Sequence, residues 1–91
     1  AGARLVAEAE QKAAGIRQQG ESLAASVKRT GYLQADSLTA KAQGPIAQLA
    51  AKPAADQLRK QADSKAAGII SEANKRADDL VAEAKRKAGQ K

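Results

Sequence analysis

The chain has 91 residues with 16 basic and 10 acidic side chains, a formal charge of +6, one aromatic residue (Tyr32) and no His, Cys, Met, Trp or Phe. That inventory removes most nucleophiles, metal ligands, general bases and stacking platforms at once, so it points away from an enzyme and implies no cofactor, no metal and no small-molecule substrate. Alanine supplies much of the apolar fraction, which limits the chain to a single module without a thick globular core. Taking every eleventh residue from the N-terminus gives Leu5, Ile16, Val27, Leu38 and Leu49, and a second series gives Leu58, Ile69 and Leu80. Four positions after each large residue stands a small one (Ala9, Gly20, Gly31, Ala42, then Ala62, Ala73, Ala84), and eight positions after it alanine recurs in most units. Eleven residues over three turns is about 3.67 per turn, close to the natural helical period, so such helices pack nearly straight or with slight right-handed supercoil. The same spacing keeps large, small and Ala positions on one narrow stripe, an amphipathic helix pattern rather than a strand.

The first predicted element is a long helix over about 3–43. Gly44-Pro45 then pairs a residue suited to the position after a helix C-terminus with one that cannot continue that helix but can begin another. A short helical connector is expected at about 46–51, and Pro53 stands either in the first turn of a new helix or at a kink. A second long helix is expected over about 53–88, followed by the basic tail Lys85, Arg86, Lys87 and Lys91. If the chain folds back about residue 48, Leu38 pairs with Leu58, Val27 with Ile69 and Ile16 with Leu80. The small positions meet as well, Gly31 facing Ala66, Gly20 facing Ala77, Ala35 facing Ala62 and Ala24 facing Ala73. The expected fold is therefore an all-α, antiparallel helical hairpin with a seam of Leu5, Ile16, Gly20, Val27, Gly31, Leu38, Leu58, Ile69, Ala73 and Leu80, and a turn at Gly44, Pro45 and Pro53.

The tract KAAGI occurs twice, at 12–16 and 65–69. Its isoleucines fall on the stripe, whereas Gly15 and Gly68, about 100° further back, lie on the far side of their helices. A glycine there is either a tolerated surface residue in a duplicated unit, at about 1 kcal/mol relative to alanine, or the place where another helix approaches. Gly20 and Gly31 have a packing reason of their own on the stripe. Val6, Ile70 and Val81 widen the stripe near the open end, and Tyr32 and Leu33 lie outside it near the bend. A two-helix hairpin with an alanine-rich seam is marginal alone, so self-association, as in a four-helix dimer, or docking on another helical protein is expected.

Residues 15–22, GIRQQGES, have the glycine spacing of a phosphate-binding loop, but Glu21 occupies the lysine position and no strand precedes the tract. Asp78 and Asp79 are adjacent and project about 100° apart, which does not make a catalytic pair. Ser22, Ser26, Ser37, Ser64 and Ser71 have no base that the sequence supplies. Specific nucleic-acid binding is not expected, because only the C-terminal basic cluster is suited to it and lysines there are also favoured by the helix dipole. Binding to an anionic membrane surface is the alternative to a protein partner, weakened by an apolar face without Phe or Trp. No apolar run approaches the roughly 18 residues of a membrane span. A chain that starts at Ala1 and contains no methionine reads as an excised fragment or a mature form.

The stretch GPIAQLAAKPAADQLRKQADSKAAGIISEANKRADDLVAEAKRKAG, with its PIAQLAAK connector, KQADSKA and EANKRAD units and the LVAEA units at 5–9 and 80–84, resembles Ala/Lys/Glu-rich coiled-coil segments of Bacteroidetes cell-envelope proteins, including C-terminal regions of AsmA-like proteins. A looser likeness joins it to the stalk helices of ATP synthase subunit b, from which the Gly44-Pro45 bend departs. These segments carry no catalytic residue. The resemblance implies a periplasmic or envelope-associated spacer, or an oligomerisation element of a larger protein.

Overall fold

The computed structural model describes residues 2–89, so Lys91 of the basic tail lies outside the described residues. It contains two helices, α1 (Gly2–Lys41) and α2 (Pro45–Gly89), and no strand among the described residues. The composition favours this outcome: alanine has the highest intrinsic helix preference, and Lys, Arg, Glu and Gln lose little side-chain freedom in a helix. Lys41 in the last turn of α1, and Arg86 and Lys87 in the last turn of α2, also complement the negative end of each helix dipole.

The helices divide between two compact units. Among the described residues the terminal unit comprises 2–22 with 69–89, and the bend unit comprises Leu23–Gly68. In the terminal unit Gly2 approaches Ala88 and Gly20 approaches Ala73, so α1 and α2 run antiparallel there. In the bend unit Gly31 approaches Ala62, and the chain reverses between Lys41 and Pro45. The fold is thus the all-α antiparallel helical hairpin that the residue spacing predicts.

Three details depart from the sequence reading. The connector at 46–51 and the second helix at 53–88 are one helix, because α2 runs unbroken from Pro45 with Pro53 inside it. Pro53 has no N–H to give to the carbonyl of Leu49, but both residues are exposed, where water can serve as donor. The bend itself is local chemistry. The Ala42 N–H donates to the Thr39 carbonyl at 3.2 Å, tightening the end of α1, while the Gly44 carbonyl accepts the first bond of α2 from the Gln48 N–H at 3.1 Å. Gly44 is therefore the N-cap of α2, with Pro45 at the first helical position, rather than the residue that closes α1. Its φ of +86° explains the glycine, since a Cβ is disfavoured in that region.

The third departure concerns register. Gly20 lies against Ala73 and Gly31 against Ala62, instead of against Ala77 and Ala66. The small residues of the two helices are staggered, so each glycine receives an alanine methyl one turn away from its expected partner. A Cβ placed on Gly20 or Gly31 would overlap the Cβ of Ala73 or Ala62.

Candidate interaction surfaces

Burial defines the seam. On α1 the buried positions are Ala9, Ala13, Gly20, Ala24, Gly31 and Ala35, and on α2 they are Ala55, Ala62, Ala66, Ala73, Ala77 and Ala84. Successive positions are separated alternately by four and seven residues, and all are alanine or glycine. The large members of the eleven-residue series sit beside this line. Ile16, Val27, Leu38, Leu58, Ile69 and Leu80 are half-buried, and Leu5 is 38% exposed. Leu49, which extends the first series past Gly44, is 71% exposed because α2 restarts the helical phase after the bend. No Leu, Ile or Val is buried among the described residues.

Each unit has two unlike sides. In the bend unit one side is closed by polar bridges from helix to helix. Arg59 Nη2 donates to Asp36 Oδ1 at 3.0 Å, and the Tyr32 hydroxyl donates to Asp63 Oδ1 at 3.0 Å. Lys28 Nζ stands 3.8 Å from the same Asp63 oxygen. The Asp63 carboxylate raises the Tyr32 pKa above its ordinary value, first by accepting this hydrogen bond and then, with slight desolvation, by its charge, while the Arg59 charge opposes the shift. The other side of the bend unit is an open groove of about 320 Å³ with Val27, Gly31, Leu58 and Ala62 along its floor and Ser26, Thr30, Gln34, Gln61 and Lys65 around it.

The terminal unit repeats the contrast. Arg17 Nη2 bridges to Asp78 Oδ1 at 2.5 Å on one side. A groove of about 300 Å³ on the other is formed by Leu5, Ala9, Leu80 and Ala84, with Glu8, Lys12, Glu83 and Lys87 at its edges. Ion pairs near this groove stay within a helix: Arg4 with Glu8 at 3.5 Å and Lys87 with Glu83 at 3.3 Å. The Arg17–Asp78, Tyr32–Asp63 and Arg59–Asp36 pairs have residue numbers with the same sum, so all three mark one register. These partners were not among the candidate residues. Their signal in the sequence is the recurrence of Asp opposite Arg or Tyr at that constant sum, which becomes visible only once the hairpin register is known. Being exposed, such pairs contribute little to stability and more to alignment.

Of the side-stripe residues, Val6 and Val81 are half-buried and Ile70 is 37% exposed. Val6 lines a shallow depression with Ala3, Ala7 and Ala88. Tyr32 and Leu33, placed outside the stripe by periodicity, are 38% and 61% exposed. Nothing lies within 4 Å of a Cβ built at Gly15 or Gly68, so neither glycine is required by contact between the helices. Lys85, Arg86 and Lys87 are exposed. Among the described residues no cluster of His, Cys, Asp or Glu could hold a metal ion, and no helix is long and apolar enough to cross a membrane. No protein-family model, curated protein or solved structure matches the chain.

Proposed function

We propose that the chain is a non-catalytic structural and protein-interaction module, a helical hairpin that associates with further copies of itself or with another helical protein. The observation that carries this reading is the division of labour in its apolar residues. Alanine and glycine fill the seam, and every described Leu, Ile and Val keeps a face toward solvent. The chain exposes 6737 Å², whereas a compact monomer of its mass exposes about 5,000 Å². The excess is ample for an ordinary interface, which removes about 800 Å² from each partner. On its resemblance to envelope coiled coils, the module serves as a spacer or oligomerisation element of a larger cell-envelope protein. The test is solution mass by light scattering over a wide concentration range. Growth from monomer to a defined oligomer supports the proposal, and a mass that stays monomeric at the highest concentrations refutes self-association.

A second reading rests on the exposed Lys85, Arg86 and Lys87 and the formal charge of +6. In this reading the basic helix lies on an anionic membrane surface, to which each lysine or arginine near the surface adds about 1 kcal/mol of attraction. Co-sedimentation with vesicles containing an anionic phospholipid would show binding that fades with added salt; equal retention by neutral vesicles would sink it.

A further inference from the structure

We infer that the terminal-unit groove formed by Leu5 and Leu80 is the surface on which a second copy docks, groove to groove. This rests on the self-association reading and assigns it a surface, an orientation and a set of pairs.

The groove has an apolar floor and a rim whose charges complement their own image. Glu8 and Lys12 belong to the α1 edge, Glu83 and Lys87 to the α2 edge. Consider a two-fold axis running along the groove, parallel to the helices. It places α1 of one copy over α2 of the other at the same level, as an isologous contact requires. Gly2 beside Ala88 and Gly20 beside Ala73 set those levels, so Glu8 and Lys12 stand level with the stretch from Leu80 to Lys87. Side chains lean toward the N-terminus of their own helix. Glu8 therefore leans toward the level of Lys87, and Glu83 leans toward the level of Lys12. In the dimer Glu8 meets Lys87 of the second copy, Lys12 meets Glu83 of the second copy, and the symmetry makes each pair twice. Leu5 and Leu80 of both copies close over one another between them.

The opposite side of this unit is less suited. Its depression is floored by Val6 and alanines, has no leucine, and carries only Glu10 and Lys85 as charged lining. The Arg17–Asp78 bridge already occupies that side further along. On the groove side no ion pair crosses between the helices among the described residues, and Lys12 makes none at all. Lys12 is thus without a partner on its own chain among the described residues, and Glu8, Glu83 and Lys87, held only in exposed pairs within their own helices, can share their charge with a second molecule.

The experiment is sedimentation equilibrium on the full chain and on the charge reversals Lys12→Glu and Glu83→Lys, alone and mixed in equal amounts. Each reversal alone turns two attractive pairs into two repulsive ones and is expected to weaken dimerisation about tenfold. The mixture restores attraction at both sites, because Glu at 12 of one copy meets Lys at 83 of the other while the remaining Lys12 meets the remaining Glu83. Dimerisation of the mixture at wild-type strength supports the assignment. An effect confined to the hairpin itself gives no recovery on mixing, since each chain still carries its own like-charge pair. Circular dichroism of each variant separates weakened assembly from lost helix. The control Glu10→Lys leaves the dimer unchanged. Three outcomes overturn the inference: reversals without effect on a wild-type dimer, no recovery on mixing, or weakening by Glu10→Lys instead. A wild-type chain that never dimerises refutes the underlying self-association reading, a different result from any of these.

Discussion

Replacing glycine by alanine should change stability in opposite directions at two kinds of site in this chain. At Gly15 and Gly68 a new Cβ meets nothing within 4 Å, so Gly15→Ala should return the full helix preference of about 1 kcal/mol. For a chain of this size that raises Tm by about 4–8 °C. At Gly31 the same Cβ overlaps that of Ala62, an atom fixed to the opposite backbone and unable to rotate aside. Carbon atoms settle about 3.5–4.0 Å apart, so the helices must part locally by about 1 Å or more. Overpacking of this kind costs about 1–3 kcal/mol. Against the same helix gain, Gly31→Ala should be neutral to about 2 kcal/mol destabilising, and it should fall about 1–3 kcal/mol below Gly15→Ala. Thermal and urea unfolding by far-ultraviolet circular dichroism, at one protein concentration because association also raises Tm, measures the difference. A Gly31→Ala variant that gains as much Tm as Gly15→Ala would refute the close seam at Gly31 and the register drawn from it.

Other perturbations test separate parts of the fold. Pro53→Ala gives the Leu49 carbonyl back its donor and removes the ring, and should stabilise α2 by about 2 kcal/mol after allowing for the freer unfolded chain; equilibrium urea unfolding reads this directly, and a loss of stability would mean that Pro53 shapes the bend. Gly44→Ala forces a Cβ into the left-handed region at φ +86° and should cost about 1–2 kcal/mol, seen as a lower Tm. Asp63→Ala should bring the Tyr32 phenol back down toward its ordinary pKa, observed as tyrosinate absorbance during an alkaline titration. Since the folded pKa is the raised one, the stability that Tyr32 derives from Asp63 is whole below about pH 10 and is lost as pH climbs through the folded value. An unchanged titration in the variant would show that Tyr32 and Asp63 do not bond in solution.

The helical class, the hairpin and the reversal at Gly44-Pro45 were legible in the sequence because each has a local cause. An eleven-residue spacing is close to a whole number of helical turns, and a glycine before a proline interrupts one helix while preparing the next. Continuity through Pro53 was not legible, since a proline in a helix and a proline starting one have the same neighbours in sequence. The outcome turned on the exposure of Pro53 and Leu49, a property of the folded chain. Register was legible only to within a turn. Large-on-large matching favoured Gly31 opposite Ala66, but a glycine accepts an alanine most closely when the alanine sits in the hollow it leaves, and that hollow admits Ala62. The polar bridges of Arg17, Tyr32 and Arg59 were missed for a related reason: charged residues on an alanine-rich helix look alike in one dimension, and only the register separates those that span the helices from those that face water.

The seam also explains why association and folding should be coupled. Close approach requires small residues wherever the two backbones meet, and a leucine at Ala62 or Ala66 would hold the helices apart. Large residues are therefore displaced to the flanks, where each covers part of the alanine line with one face and offers water the other. Buried apolar area is the main favourable term in folding, and an alanine seam supplies little of it per ordered residue. The remainder is stored in the exposed faces of residues such as Leu5, Leu23 and Ile70, 38%, 56% and 37% exposed respectively, and becomes available only when a second layer covers them. If the chain self-associates as proposed, Tm should rise with protein concentration. On the proposed docking of a second copy, Leu5→Ala should reduce that slope more than it lowers Tm in dilute solution, because the leucine would contribute chiefly once it is covered. If dilute and concentrated samples lost equal stability, Leu5 would belong to the hairpin alone, and the second layer would have to rest elsewhere.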